Sequence, residues 1–320
     1  MKKAALIVIL ILALCGSAPL SLEAADSKPA KPTPEISFGT LPVLQALPLF
    51  VAAEKGFFKE QGLSVNLVRF NSAMEKDVAM SAGQISGYFG DIMTPVVLKA
   101  NKTRIKMIAT IFSTPKTQRM FAVIASPKHL NKSIPELAVE GIAVSSNTVM
   151  EYLADRLLSA QSVPADHIKL VEIKNIPIRL QMLLSGQIPA AILPEPLATL
   201  AEKKGGKAVL DDAGAGLSTT ILAFNEQFLA DHPSAVRAFL AAVDRASQYV
   251  NSHQSEVRSI MNRECRIPEP LQTAFPIPEF PKLTLPDRNQ VMDVHRWLQG
   301  KKIVKNPLTY NQMVADGYLP

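Results

Sequence analysis

From Glu35 onward the chain alternates short apolar runs with longer amphipathic stretches, and it does so in two successive series. Few architectures satisfy that alternation: strands interleaved with helices build an open α/β sheet whose faces the helices cover. In the first series, strands are predicted at 36–39, 65–70, 85–89 and 106–111, with helices at 43–55, 73–81 and from Thr94-Pro95. In the second, strands are predicted at 121–125, 141–144, 168–173 and 190–193, with helices at 133–139, 149–160 and 178–184. The stretch 149–160 has the strongest pattern, because Val149, Tyr152, Leu153, Leu157 and Ala160 fall on one helical face. A strand at 219–223 then returns the chain toward the first series. Helices at 233–250 and 287–299 follow, separated by a segment whose prolines at 268, 270, 276, 278, 281 and 286 exclude a regular helix. The reading is two α/β lobes joined by two crossings.

A length of 320 residues suits two such lobes, and 48% hydrophobic against 19% charged residues excludes intrinsic disorder. The net charge of +6 is dispersed, with basic runs no longer than pairs such as Lys203-Lys204, so no nucleic-acid partner is expected.

Met1-Lys2-Lys3 precedes an apolar run from Ala4 to Leu14, too short to span a bilayer, which needs ~20 residues, but suited to a secretory signal. Residues 1–24 are therefore read as a signal peptide cut before Ala25, and 25–34 as a proline-rich flexible linker. Cys15 ends the apolar run, which is the position of a lipid-anchored cysteine, although Leu14 precedes it where small residues are usual. The mature chain is expected in a periplasm, with lipid anchoring at Cys15 the less favoured route. Cys265 then has no disulfide partner, and stability rests on the apolar core.

Several chemistries lack their sequence signatures. There is no G-x-G-x-x-G and no phosphate-binding loop; Gly205-Gly206-Lys207 lacks the spacing. His129, His167, His232, His253 and His295 stand singly and read as surface residues, with no metal-ligand spacing. No nucleophile elbow is present, and no cofactor is expected.

What remains is a set of strand-to-helix junctions. Ser72-Ala73-Met74-Glu75 and Thr148-Val149-Met150-Glu151 both match a capping box at comparable places in the two series. Each either caps a helix alone or also offers its end to a ligand, with Asn71 in one and Ser145, Ser146 and Asn147 in the other as further donors. Gly90-Asp91 forms a third junction, where Asp91 either meets a ligand amine or caps the next helix. Leu41, Pro42 and Gln45 form the first junction, and Glu195, in Leu193-Pro194-Glu195-Pro196, closes the matching corner of the second series. Met74, Met93, Met120 and Met150 lie near these ends, as pocket lining or as core.

Taken in order, Lys55-Gly56-Phe57-Phe58-Lys59-Glu60-Gln61-Gly62-Leu63, Ser81-Ala82-Gly83-Gln84-Ile85, Leu183-Leu184-Ser185-Gly186-Gln187-Ile188 and Phe228-Leu229-Ala230-Asp231-His232-Pro233 resemble a known group. It is the ABC-importer solute-binding proteins for nitrate, taurine, aliphatic sulfonates and thiamine precursors. The resemblance implies a two-lobed type 2 periplasmic-binding fold, with lobe one from 35–120 and 220–320 and lobe two from 121–219. It also implies a noncatalytic monomer that captures a small organic or anionic solute and delivers it to an inner-membrane permease. Enzymes of thiamine-precursor or menaquinone type, and sensory modules, share the fold. Relatives usually carry Asp where Ser86 and Pro189 stand here, and Arg119 at the crossing is the nearest arginine for an anion.

Overall fold

A computed structural model describes residues 34–320; the signal-peptide, Cys15 and linker expectations up to residue 33 lie outside the described residues. The strands are β1 (Glu35–Thr40), β2 (Ser64–Arg69), β3 (Gly87–Asp91), β4 (Ile105–Ser113), β5 (Phe121–Ala125), β6 (Ile142–Val144), β7 (Leu170–Glu172), β8 (Ala190–Pro194), β9 (Lys207–Asp211) and β10 (Thr219–Asn225). The helices are α1 (Leu47–Glu54), α2 (Phe57–Glu60), α3 (Ala73–Ser81), α4 (Met93–Ala100), α5 (Ile134–Glu140), α6 (Val149–Ala160), α7 (Ile176–Ser185), α8 (Leu197–Lys203), α9 (Glu226–Asp231), α10 (Pro233–Ser252), α11 (Gln254–Glu264), α12 (Arg288–Gly300) and α13 (Tyr310–Met313).

Two five-stranded sheets result, in the orders β2-β1-β3-β10-β4 and β7-β6-β8-β5-β9. They share one plan. β1 runs parallel to β2 and β3 while β10 is antiparallel to β3 and β4; likewise β6 is parallel to β7 and β8 while β5 is antiparallel to β8 and β9. Ser113, at the end of β4, pairs with Thr219, at the start of β10, while Phe121 pairs with Pro194 and Asp211 with Ala122. Both crossings, 114–120 and 212–218, therefore join the carboxyl edge of one sheet to the carboxyl edge of the other. This connection positions the site.

The first sheet is backed by α10 through Phe239, whose ring lies 4.7 Å from Phe38, 5.1 Å from Phe58 and 5.4 Å from Phe224. Edge-to-face and stacked rings of this kind fix a core beyond their area burial. The helix expected at 43–55 is divided into a 3-10 turn and α1, and the residues from Leu47 to Ala52 are all buried, so no polar face terminates the pattern. α2 buries Phe57 and Phe58 but is too short to show a period, and α11 buries only Val257, Ile260 and Met261 in a polar sequence. α4 starts at Met93, ahead of the expected Thr94, because Asp91 Oδ1 accepts the Thr94 N–H at 3.0 Å.

His295 departs from the surface reading of the histidines: it is 2% exposed in α12, and its Nε2 accepts the Leu308 N–H at 3.0 Å. A protonated ring would turn that acceptor into a donor facing a donor. Burial, assisted by nearby Arg296, pushes its pKa below the ordinary 6.5. The folded state thus favours the neutral ring, so its contribution is complete above pH 6.5 and is lost as pH falls toward the depressed folded value. Melting temperatures between pH 8 and pH 5 should fall less steeply in His295→Gln than in the parent; equal slopes would remove His295 from the acid response.

Candidate ligand cleft

The junction residues named from the sequence lie at or just beyond the carboxyl ends of parallel strands. Leu41, Pro42 and Gln45 follow β1 and are half-buried; Ser72, Ala73 and Met74 follow β2; Gly90 and Asp91 end β3. Ser145, Ser146, Asn147 and Thr148 follow β6, and Glu195 follows β8. The strand order places the first three groups on one edge and the last two on the other. Ser86 and Pro189, by contrast, precede β3 and β8 at the opposite edges, so their departure from the family pattern does not touch these junctions. Met93, Met120 and Met150 are core residues, whereas Met74 is 67% exposed.

Neither junction box closes as expected. Ser72 Oγ accepts the Glu75 N–H at 3.2 Å, but the Glu75 carboxylate takes the Asn71 N–H, one residue earlier than a reciprocal box requires. Thr148 Oγ1 accepts from Met150 at 3.2 Å, and Glu151 takes the Asn147 N–H at 2.6 Å. Glu172 takes the Ser146 N–H at 2.8 Å. Asn147 adopts φ +60°, and two carboxylates accept the Ser146 and Asn147 N–H groups, two of the donors that the sequence suggested for an anion. Complete boxes form at Ser133/Glu136 and Thr309/Gln312 instead.

The structure adds a residue that the sequence reading missed. Arg179, fourth in α7, is 0% exposed and has no carboxylate hydrogen-bond partner among the described residues. Its guanidinium donates to the Ile173 carbonyl at 3.0 Å, the Ile192 carbonyl at 2.9 Å and Ser145 Oγ, and so ties the Ser145 junction to β8. Burial pushes its pKa down to about 10, so it stays charged near neutrality. Its signal was faint but present: Arg179 lies four residues before the fully buried Leu183, on the core face of its helix. Lys76 occupies the same fourth place in α3, the corresponding helix of the other sheet, and is 1% exposed. Its ammonium lies 2.8 Å from Asp77 Oδ1 and 3.6 Å from the centre of the Tyr88 ring. Burial lowers its pKa against the pull of Asp77 and Asp91. Each sheet therefore carries one buried cation beneath its carboxyl edge.

The crossings are held together by Asp212, which is 0% exposed. Its Oδ1 accepts the Met120 and Phe121 N–H groups, each at 2.8 Å. Its Oδ2 accepts Thr114 Oγ1 at 2.8 Å and Ser218 Oγ at 2.5 Å. One carboxylate thus binds both connecting segments. Arg119 is neither a solvated charge nor a free anion ligand: it donates to Glu195 at 2.7 Å and to both oxygens of Glu202. Glu195 also accepts the Thr199 N–H and hydroxyl, each at 3.0 Å. A cavity of about 330 Å³ opens beside this network, lined by Gln118, Arg119, Glu195, Thr199, Phe275 and Pro276 among others. Among the described residues, no cluster of three or more His, Cys, Asp or Glu is placed to hold a metal ion. No helix among them is long and apolar enough to cross a membrane.

Two sheets of one plan, joined twice at their carboxyl edges, define a two-lobed periplasmic-binding fold. The NMT1/THI5-like family profile matches residues 44–257, more than half of the 320-residue sequence, and the chain belongs to that family. The fold is similar to that of the alkanesulfonate-binding protein SsuA from Xanthomonas axonopodis pv. citri bound to MOPS. The TM-score is 0.77 at 12% identity, covering 90% of this chain and 100% of that one. The periplasmic aliphatic sulphonate binding protein SsuA from Escherichia coli gives a TM-score of 0.76 at 11% identity, covering 88% and 92%. The periplasmic nitrate-binding protein NrtA from Synechocystis PCC 6803 gives 0.62 at 14% identity, covering 74% and 68%. A comparison with curated protein sequences gives no match.

Proposed function

We propose that this protein is the extracytoplasmic solute-binding component of an ABC importer, holding a small solute between two hinged lobes and presenting it to an inner-membrane permease. Lobe one would comprise 35–120 and 220–320, and lobe two 121–219. The observation that carries the reading is the connection of carboxyl edge to carboxyl edge, since ligands of open α/β sheets collect beyond those edges. Contacts from both lobes to one solute would favour the closed arrangement, which a permease can distinguish by shape. The likeness to sulfonate- and nitrate-binding proteins supports a small organic or anionic solute.

The reading is noncatalytic. Cys265 is buried, and burial raises its thiol pKa far above the range of a reactive thiolate. His129 Nδ1 lies 2.7 Å from Ser126 Oγ, but Ser126 follows β5 at the edge away from the junctions. The protein is expected to act as a periplasmic monomer without nucleic acid.

Mass spectrometry of small molecules released from the denatured, purified protein tests this directly. One compound recovered unchanged, which raises the melting temperature when added back, is expected; a compound converted during incubation would replace binding by catalysis. Asn147→Gly should weaken that solute's binding while leaving the melting temperature within about 2 °C, because glycine keeps the positive φ and removes only the exposed side chain. Unchanged affinity would take Asn147 out of the site.

A further inference from the structure

α12 is attached to the two lobes in different ways. Its N-terminal turn is fixed at the second crossing, where Gln290 accepts from Thr219 Oγ1 at 2.7 Å and donates to the Gly216 carbonyl at 2.6 Å. Its body packs against α4 and α13, beside the first sheet. Toward the second sheet it extends side chains only. Asp293, Trp297 and Lys301, spaced four apart and hence on one face, meet the first two turns of α6.

The contacts are complementary in charge and shape. The Asp293 carboxylate accepts Tyr152 Oη at 2.8 Å and Arg156 Nη2 at 2.9 and 3.0 Å. Trp297 Nε1 donates to Asp155 Oδ2 at 2.9 Å, and its ring stands edge-on to Tyr152 with centroids 5.6 Å apart. Lys301 Nζ lies 2.9 Å from Glu151 and 3.0 Å from Asp155. Glu151 holds Lys301 with one oxygen and the Asn147 N–H with the other. The contact between lobes and the Ser145–Thr148 junction therefore share a carboxylate.

We propose that α12 is an interlobe latch: the Asp293, Trp297 and Lys301 stripe holds lobe two at its present angle, and its release is required for the cleft to widen. The ion pairs are only partly buried, with Lys301 and Arg156 about one-third exposed, so salt weakens them and they yield more readily than a continuous apolar interface. Sharing Glu151 makes the latch sensitive to any ligand group that engages the Asn147 backbone. The inference rests on the hinged two-lobed fold and needs no solute, so it stands or falls separately from the importer assignment.

Trp297 is the sole tryptophan of the chain and only 8% exposed, so its fluorescence reports the latch directly. The full chain is compared with the double variant Asp293→Asn/Lys301→Met, each with a spin-label pair placed on exposed residues of α3 and α5, one per lobe. The expected result is a red-shifted Trp297 emission, several-fold stronger acrylamide quenching and a longer interlobe distance in the variant, with its far-ultraviolet circular dichroism retained. High salt should move the parent in the same direction. An unchanged interlobe distance overturns the proposal, whether or not Trp297 becomes exposed, since exposure alone would mean local fraying of α12. Should the double variant fail to fold, Tyr152→Phe with the same two readouts replaces it, and a distance identical to the parent's in Tyr152→Phe and at high salt also overturns the latch.

Discussion

Asp212→Ala is expected to lower stability by about 4 kcal/mol, because four donors that face one buried carboxylate would lose their acceptor together. Each hydrogen bond to a charged group contributes ~1.5–3 kcal/mol, and stranded buried donors add a cost of similar size, partly relieved by water entering the space. At about 2–4 °C per kcal/mol for a domain of this size, thermal unfolding should move down by roughly 10 °C. Asp212→Asn keeps the shape and one carbonyl acceptor, so it should fall between the variant and the parent. A melting temperature for Asp212→Ala within about 2 °C of the parent would mean that the crossings are held by something else. The effect should also be visible in hydrogen exchange, with protection lost first at Met120 and Phe121, whose N–H groups Asp212 accepts.

The second large effect is expected at Arg179. Arg179→Ala leaves the Ile173 and Ile192 carbonyls and the Ser145 hydroxyl without their donor and opens a cavity against the second sheet, for a loss on the order of 3–5 kcal/mol. Lysine at this place should recover less than half of it. A single ammonium on a flexible stem does not reproduce a planar fork that serves three acceptors in fixed directions. Chemical denaturation of the three proteins provides the comparison. Should Arg179→Lys match the parent, charge alone would account for the role of Arg179, and the bridging geometry would be irrelevant.

Much of the fold was legible because it depends on local pattern. The strand 121–125 and the helices 73–81 and 149–160 appear with the bounds read from the sequence, since each has a clear apolar period ended by a turn or a cap. β9 was missed because an edge strand that is only half-buried shows no decisive alternation, and α8 because seven residues of mixed polarity carry little period. Asp91 Oδ1 accepts the Thr94 N–H, the contact that the capping alternative read for it requires.

The strand-to-helix junctions were legible in place, but the partners of their donors were not. Junction residues could be named because ligands gather where strands end, which follows from order along the chain. Which groups occupy their donors could not be named. Glu172 reaches Ser146 from the neighbouring strand, Lys301 reaches Glu151 across 150 positions, and Asp212 reaches back to Thr114. Such partners are set by sheet order and helix packing, and neither leaves a spacing in the sequence.

Local pattern was enough to show that two series of strands and helices would form, and where most strands hand over to the next helix, because hydrophobic period and capping act between near neighbours. The packed fold alone buries Lys76 and Arg179 beneath those ends, brings both crossings to Asp212 and sets Asp293, Trp297 and Lys301 against α6. Burial and hydrogen-bond satisfaction are properties of the packed chain, and a residue's partner is known only once the fold has brought distant segments side by side.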